Sequence, residues 1–366
     1  MGINSSRRHT KFARVTLLLA CHFAWSLTIA VAEPPKLGAI IGLTGGMSAW
    51  GDRCQKAYSL ALNDIKSETG ELPFELVIED SPETLPKNSL TALHKLDRVD
   101  RIFTLIGVFT PEEVEALTPI LERKEIGLIS FVRGTTSLKR ARYLWPDPIY
   151  ESAAAATELR KRHKRVAILS DQASWTEQAS KGFSDRFKEL GGTIVSNQSL
   201  PINVNSVRTE VLKAKNSAPE ALFIPSYYLF SYYVKEISIL RLNIPIYGIE
   251  LDDSAWELSK PYSAGVKFIR PYVFEKFDAR FRSNFNIAAD LPASYCYDQV
   301  RLAHTTFISL PAENRTETTL RKSFGRALES VSEYDGVSGK LIFKPTRTES
   351  PLGWFEMTSQ GIVPIK

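Results

Sequence analysis

Chemistry at neutral pH usually needs histidine, and this chain has five: His9, His22, His94, His163 and His304. His163 lies in the run KRHKR, which reads as a solvated, charged helix end. His304 falls at helical spacing with Tyr297, Val300 and Phe307 and reads as a core residue. There is no H-E-x-x-H, no G-x-S-x-G and no paired-cysteine metal pattern. Acidic residues are plentiful, 41 in all, but their spacing does not say whether two of them converge. The expectation is a protein that is not an enzyme and that uses no metal and no cofactor. Residues suited to binding are better represented. Trp50, Phe109, Thr110, Ser130, Arg133, Thr135, Trp175, Tyr227 and Glu250 all follow segments that read as strands. Aromatic area with a few polar anchors is what a small-molecule pocket requires. Arg133 offers a planar fork for a carboxylate, with a solvent-facing loop arginine as the plainer alternative.

The elements that must position these residues begin with KLGAIIGLTGGMSAWGDRCQKAYSLALNDI, Lys36 to Ile65. Leu37 to Leu43 is a continuous apolar run, a strand buried on both faces. A glycine-rich turn follows, then Asp52 as an expected N-cap, with Ala57, Ala61 and Ile65 at helical spacing. Strand, turn and helix open a parallel α/β domain whose ligands sit at the carboxyl ends of the strands. Free N–H groups in the turn would favour an anionic ligand group. The spacing is not G-x-G-x-x-G, and the Gly-Lys-Ser/Thr of a P-loop is missing.

Strand and helix then alternate. Strands are expected at Phe74–Asp80, Ile102–Val108, Gly127–Val132, Arg165–Ser170, Thr193–Val195, Ala221–Pro225 and Pro245–Ile249. Helices are expected at Pro86–Arg98, Pro111–Glu122, Ser152–Arg162, through Ala179 to Leu190, and near Val207–Ala214 and Leu229–Leu240. YLWPDPIY reads as a proline-marked break between two βαβ sets. From Gly336 the tail turns to strand and turn signals.

The segment GLTGGMSAWGDRCQKAYSLALNDI resembles the start of the leucine/isoleucine/valine-binding protein family, type I periplasmic solute-binding proteins of ABC importers. EALTPILERKEIGLIS, KRVAILSDQASWTEQASKGFSDRFKELGG, PEALFIPSYY, PIYGIELDD, YCYDQVRLA and YDGVSGKLIF resemble later family segments, in family order. The resemblance implies two doubly wound parallel-sheet lobes joined by a three-crossing hinge, with crossings near Pro148, near Pro271 and in the tail. Lobe 1 would be residues 33–148 plus 272–352, and lobe 2 residues 149–271 plus 353–366. It implies hydroxyl and backbone donors for an α-carboxylate at Thr110 and in the Ser130–Thr135 loop. Aromatic walls would come from Trp175 and Tyr227, and an acid for an α-ammonium from Glu250. Phe109 and Phe131 stand where many relatives have smaller residues, and Arg133 adds charge to a loop usually short of it. The implied function is capture of a small amphipathic carboxylate, an amino acid first, by hinge closure and delivery to an ABC permease. An aromatic or aliphatic carboxylic acid is the alternative ligand, and a sensor docking on a membrane receptor the alternative role. A monomer is expected.

Residues 1–32 read as a secretion signal. Arg7, Arg8, Lys11 and Arg14 precede the largely apolar Val15–Val31, and Ala30-Val31-Ala32 is an A-x-A cleavage site. The Arg7-Arg8 pair lacks the Phe-Leu of a twin-arginine signal, so Sec export to the periplasm is expected. Leu18-Leu19-Ala20-Cys21 resembles a lipobox, but the apolar run continues well past Cys21, which argues against lipidation. Of 46 basic residues the signal takes four, leaving 42 against 41 acidic ones. The high isoelectric point therefore belongs to the signal, and a mature charge near neutrality gives no case for nucleic-acid binding. Cys54 and Cys296 remain. Whether they pair or stay separate thiols is open at this level. Mass spectrometry of protein from the native compartment should find a mature chain starting at Glu33; one starting at a modified Cys21 would make it a lipoprotein.

Overall fold

The computed structural model describes residues 33–134, 136 and 138–365, so the signal-peptide and cleavage expectations lie outside the described residues. The first sheet is built from β1 (Lys36–Ile41), β2 (Glu75–Asp80), β3 (Thr104–Gly107), β4 (Gly127–Ser130) and β5 (Ala141–Tyr143). Its order is β2-β1-β3-β4-β5, parallel throughout. Between these strands run α1 (Ser48–Thr69), α2 (Pro86–Arg98) and α3 (Pro111–Arg123). Both faces are buried, as the apolar runs require. Leu37, Ala39 and Ile41 point into one core cluster and Ile40 into another, the period of two that a strand imposes.

The same order recurs. After α4 (Pro148–Arg160) come β6 (Arg165–Asp171), α5 (Ser174–Glu189), β7 (Thr193–Leu200), α6 (Arg208–Asn216), β8 (Ala221–Ile224), α7 (Phe230–Ile239), β9 (Ile246–Ile249), α8 (Asp253–Ser259) and β10 (Lys267–Pro271). Their order β7-β6-β8-β9-β10 repeats the first sheet's. Ala167 and Leu169 face one core, Val166 and Ile168 the other. The chain then forms α9 (Glu275–Phe285), α10 (Asp290–Ile308) and α11 (Leu320–Ser330). Residues of α10 and α11 share the first sheet's core. A small antiparallel sheet, β11 (Glu333–Gly336), β12 (Gly339–Phe343) and β13 (Thr348–Glu349), follows. The tail ends with β14 (Leu352–Thr358), which extends the second sheet antiparallel to β10, and β15 (Gly361–Pro364), which pairs antiparallel with β14.

Three expectations need correction. Asp52 is not a cap: α1 begins at Ser48 with Met47 at the N-cap, and Asp52 sits inside it, paired with Lys56 one turn on. The early start is possible because Gly51 packs on the preceding turn; a Cβ there would lie 2.0 Å from the Gly42 carbonyl oxygen. YLWPDPIY is not a simple break, since α4 starts at its Pro148. Asp147 caps that helix, accepting from the Ile149 N–H at 2.9 Å, and proline at the first helical position is favoured rather than disruptive. His163 is not merely solvated, because its ring nitrogen meets the Tyr247 hydroxyl at 3.1 Å. The open question of the cysteines has an answer: Cys54 and Cys296 are joined, tying α1 to α10. Among the described residues no helix is long and apolar enough to cross a membrane.

The disulfide closes a loop across most of the chain, so it should narrow the unfolded ensemble substantially. Replacing both cysteines by serine should cost about 2–4 kcal/mol in denaturant unfolding. Thiol titration of the intact, unfolded mature protein should find no free cysteine; a full complement would rule the bond out.

Candidate functional site

In sheets of this strand order the crevice opens where the order reverses, beside β1 and β3 in the first sheet and β6 and β8 in the second. A cavity of ≈ 140 Å³ lies among the loops at those strand ends. From the first sheet come Trp50 on α1, Phe109 and Thr110 after β3, Phe131 and Arg133 after β4, and Tyr143, Trp145 and Asp147 at and after β5. The rings form a continuous wall. Trp50 lies 6.1 Å from Phe109, 6.2 Å from Phe131 and 5.8 Å from Trp145, centroid to centroid. Phe109 meets Phe131 edge-on at 5.1 Å.

The backbone bends to present this wall. Gly107 has φ +92° and Val108 φ +63°, the latter a left-handed conformation that a β-branched residue rarely takes. The Val108 N–H donates to the Ile40 carbonyl, and its carbonyl accepts from the Ser130 hydroxyl at 3.1 Å. Ser130 therefore stays buried behind the wall and does not line the cavity. Glu113, itself buried, takes the donors at the start of α3. Its Oε2 accepts from the N–H groups of Phe109 (3.2 Å) and Thr110 (3.1 Å) and from the Thr110 hydroxyl. Its Oε1 accepts from Ser81 and Ser89. The glycine-rich turn after β1 is filled in the same way: Asp80 accepts from the N–H groups of Leu43 and Thr44, and Glu83 from that of Gly46. The expectation that this turn offers free N–H groups to an anion is thus overturned at Leu43, Thr44 and Gly46, whose N–H groups the protein's own carboxylates occupy.

From the second sheet come Trp175 on α5, Tyr227 and Tyr228 after β8, and Glu250 after β9. Buried Asp171, at the end of β6, holds two of these loops together, accepting from Ala173 N–H, the Thr176 hydroxyl and the Ser226 hydroxyl. Asp252 caps α8 through Ala255 N–H, and its other oxygen accepts from the Tyr227 hydroxyl (3.2 Å) and the Trp50 indole (3.4 Å). That last bond joins an element of the first sheet to the second. Trp145 makes another such bond, its indole N–H donating to Glu250 Oε1.

Glu250 follows β9 at φ +54°, a left-handed conformation, with its N–H donating to the Ile269 carbonyl on β10. Burial raises its carboxyl above the ordinary value, while hydrogen bonds with Glu151 and Trp145 work against the rise. Burial also raises Asp147, even though it accepts helix-end N–H groups. The Arg133 guanidinium lies over the Tyr143 ring, 4.6 Å from its centroid. Among the described lining residues the acids are Glu112, Asp147 and Glu250, and the cation is Arg133. No group of three or more His, Cys, Asp or Glu among the described residues could hold a metal ion.

Of the residues singled out from sequence, Trp50, Phe109, Thr110, Arg133, Trp175, Tyr227 and Glu250 meet around one cavity, Ser130 does not line it, and Thr135 lies outside the described residues. Tyr143, Trp145 and Asp147 were missed. Their signal was the aromatic content of YLWPDPIY, hidden when that stretch was read only for its prolines.

Two lobes of like topology, with strand ends converging on an aromatic cavity, define a two-lobed binding protein of α/β class. The chain belongs to the periplasmic binding protein family, whose model matches residues 34–351. It is 21% identical over 219 residues to the Leu/Ile/Val-binding protein homolog 6 of Brucella abortus, a match covering 57% of this chain and 55% of that one. The chain thus spans about half the length of the curated relatives it matches. Among solved structures it is similar to a leucine binding protein from Thermotoga maritima (TM-score 0.77, 17% identity, 91% of this chain and 98% of that one). It is also similar to a solute binding protein of R. palustris in complex with benzoate (TM-score 0.76, 16% identity, 91% and 96%). The shared fold is that of type I periplasmic binding proteins.

Glu113 carries five donated hydrogen bonds, from Ser81, from Ser89 on α2, and from the Phe109–Thr110 loop behind the cavity wall. Glu113→Ala would strand several of those donors away from water, so it should destabilise by about 3 kcal/mol or more in urea unfolding. A loss under about 1 kcal/mol would mean that the loops hold themselves.

Proposed function

We propose that this protein is an exported receptor that captures a small amphipathic solute, an amino acid first, by closing two lobes and presenting it to an ABC permease. The lobes are residues 33–148 plus 272–352 and residues 149–271 plus 353–366. The observation that carries the ligand class is Glu250, a carboxylate facing an aromatic cavity. An acid so enclosed is costly without a cation, and an α-ammonium supplies one through a charge-assisted hydrogen bond. Acids outnumber bases around the cavity, which favours a ligand with a positive group. Glu113 and Asp80 take the N–H groups of Leu43, Phe109 and Thr110, and the ligand's carboxylate is assigned to Arg133, the cation among the described lining residues. Aromatic walls then enclose the side chain. The indole bonds of Trp50 and Trp145 to acids on the other sheet are contacts that closure would make.

A second reading, an aromatic carboxylic acid, is supported by the density of rings and by Arg133, and is the kind of ligand named for the R. palustris protein. The two part company on two side chains. A thermal-shift screen of amino acids and aromatic acids comes first; ligand at 100 times its dissociation constant adds about 2.7 kcal/mol. Calorimetry on Glu250→Ala and Arg133→Ala follows. For an amino acid, Glu250→Ala should cost about 2–5 kcal/mol. Full binding of an amino acid by that variant, with binding abolished in Arg133→Ala, would move the assignment to the acid.

A further inference from the structure

Glu151 is the acidic side chain that the reading above leaves unused. It lies in the first turn of α4, with none of its surface exposed. No donor among the described residues reaches either of its carboxyl oxygens. What stands beside it is another carboxyl, that of Glu250, with Asp147 also near. The remaining ionisable groups acting with it are the Tyr150 and Tyr295 hydroxyls, and Tyr295 already meets the Ser350 hydroxyl at 3.0 Å. Arg133 acts on Asp147 and is not among the groups that bear on Glu151.

Two acceptors side by side, enclosed and without a donor, repel unless a proton lies between them. The positive end of α4 would favour a charge on Glu151, but an end dipole is weak against a buried neighbouring carboxylate. Glu250 has the Trp145 indole as donor and opens on the cavity, whereas Glu151 has neither. We infer that Glu151 and Glu250 share one proton, carried on Glu151 and donated to Glu250, so that the pair aims a single negative charge at the ligand. Glu151 is then a positioning residue: it holds Glu250 ionised and oriented for a cationic group without touching the ligand. Burial, with the Glu250 charge behind it, pushes the Glu151 carboxyl well above the glutamate range. The ligand side of this inference rests on the amino-acid reading; the shared proton does not.

A carboxyl raised by folding binds its proton more tightly in the native state than in the unfolded one. Stability is then lost as pH rises from the ordinary glutamate value, about 4.3, towards the raised one. Thermal unfolding without ligand, across this window, should therefore show Glu151→Gln gaining on wild type as pH rises. The gain should shrink in a Glu250→Gln background, where the neighbouring charge is gone. A gain that does not grow with pH, or one equal in both backgrounds, overturns the shared proton. Should Glu151→Gln fail to fold, infrared spectroscopy of wild type labelled with carbon-13 glutamate decides. A protonated glutamate carboxyl at neutral pH is expected, and its absence refutes the inference. For the positioning role the probe is phenethylamine. Glu151→Gln should keep its affinity within about threefold, and Glu151→Leu should lose roughly tenfold or more. Equal binding by both variants removes the role. Failure of phenethylamine to bind wild type counts against the cationic-ligand reading and so against the positioning role, leaving the proton to the stability data.

Discussion

Carboxylates turned inward onto backbone N–H groups hold the cavity loops in place. Asp80 fixes the turn after β1, Glu113 the loop after β3, Asp171 the loops after β6 and β8, and Asp252 the start of α8. An irregular segment beside a buried cavity has polar backbone that no sheet or helix satisfies, and each group left bare is costly. An ionised carboxylate satisfies several at once with strong bonds and asks for few residues. Asp298 does the same for the loop at Val337 and Ser338, and burial still pushes it up to about 6 despite its donors. Glu151 has the same burial but, among the described residues, no donor, which sets it apart from these acids.

Most of the scaffold was legible because burial on both faces writes itself into sequence. Runs such as Leu37–Ile41 and Val166–Leu169 are apolar without alternation and bounded by turn residues, and both became central parallel strands. The strand-end rule then brought Trp50, Phe109, Trp175, Tyr227 and Glu250 to one place without any contact being known. What stayed illegible was the destination of polar groups. Ser130 has the residue type and position of a ligand donor, yet its hydroxyl goes to the carbonyl of a strained valine. The glycine turn has the form of an anion site, yet its N–H groups go to acids some 37 residues on. Sequence gives the inventory of donors and acceptors; the pairing needs coordinates.

The helix start at Pro148 shows a subtler limit. Proline breaks a helix interior but suits its first turn, so the same two residues of YLWPDPIY permit a break or a beginning. What decided it was Asp147, a cap one residue earlier. Taking the stretch as a break hid Trp145 and Asp147 together, because residues assigned to a linker are not asked what they face.

The charge pattern that results is unusual for a site first expected to hold an anion. Among the described residues the N–H groups of Leu43, Thr44, Gly46, Phe109 and Thr110 go to the protein's own acids, and the cavity lining carries one guanidinium, three acids and several rings. Of these, Glu250 is also a partner in the Trp145 bond that links the two sheets. On the function proposed above, its charge would enter two equilibria, ligand binding and the approach of the lobes. An ionised Glu250 makes a stronger acceptor for the indole and a stronger attraction for a cation, so both equilibria move in the same sense. A ligand cation at Glu250 would favour the ionised form further. On that reading recognition and closure would be coupled through one carboxylate rather than through a chain of intermediates.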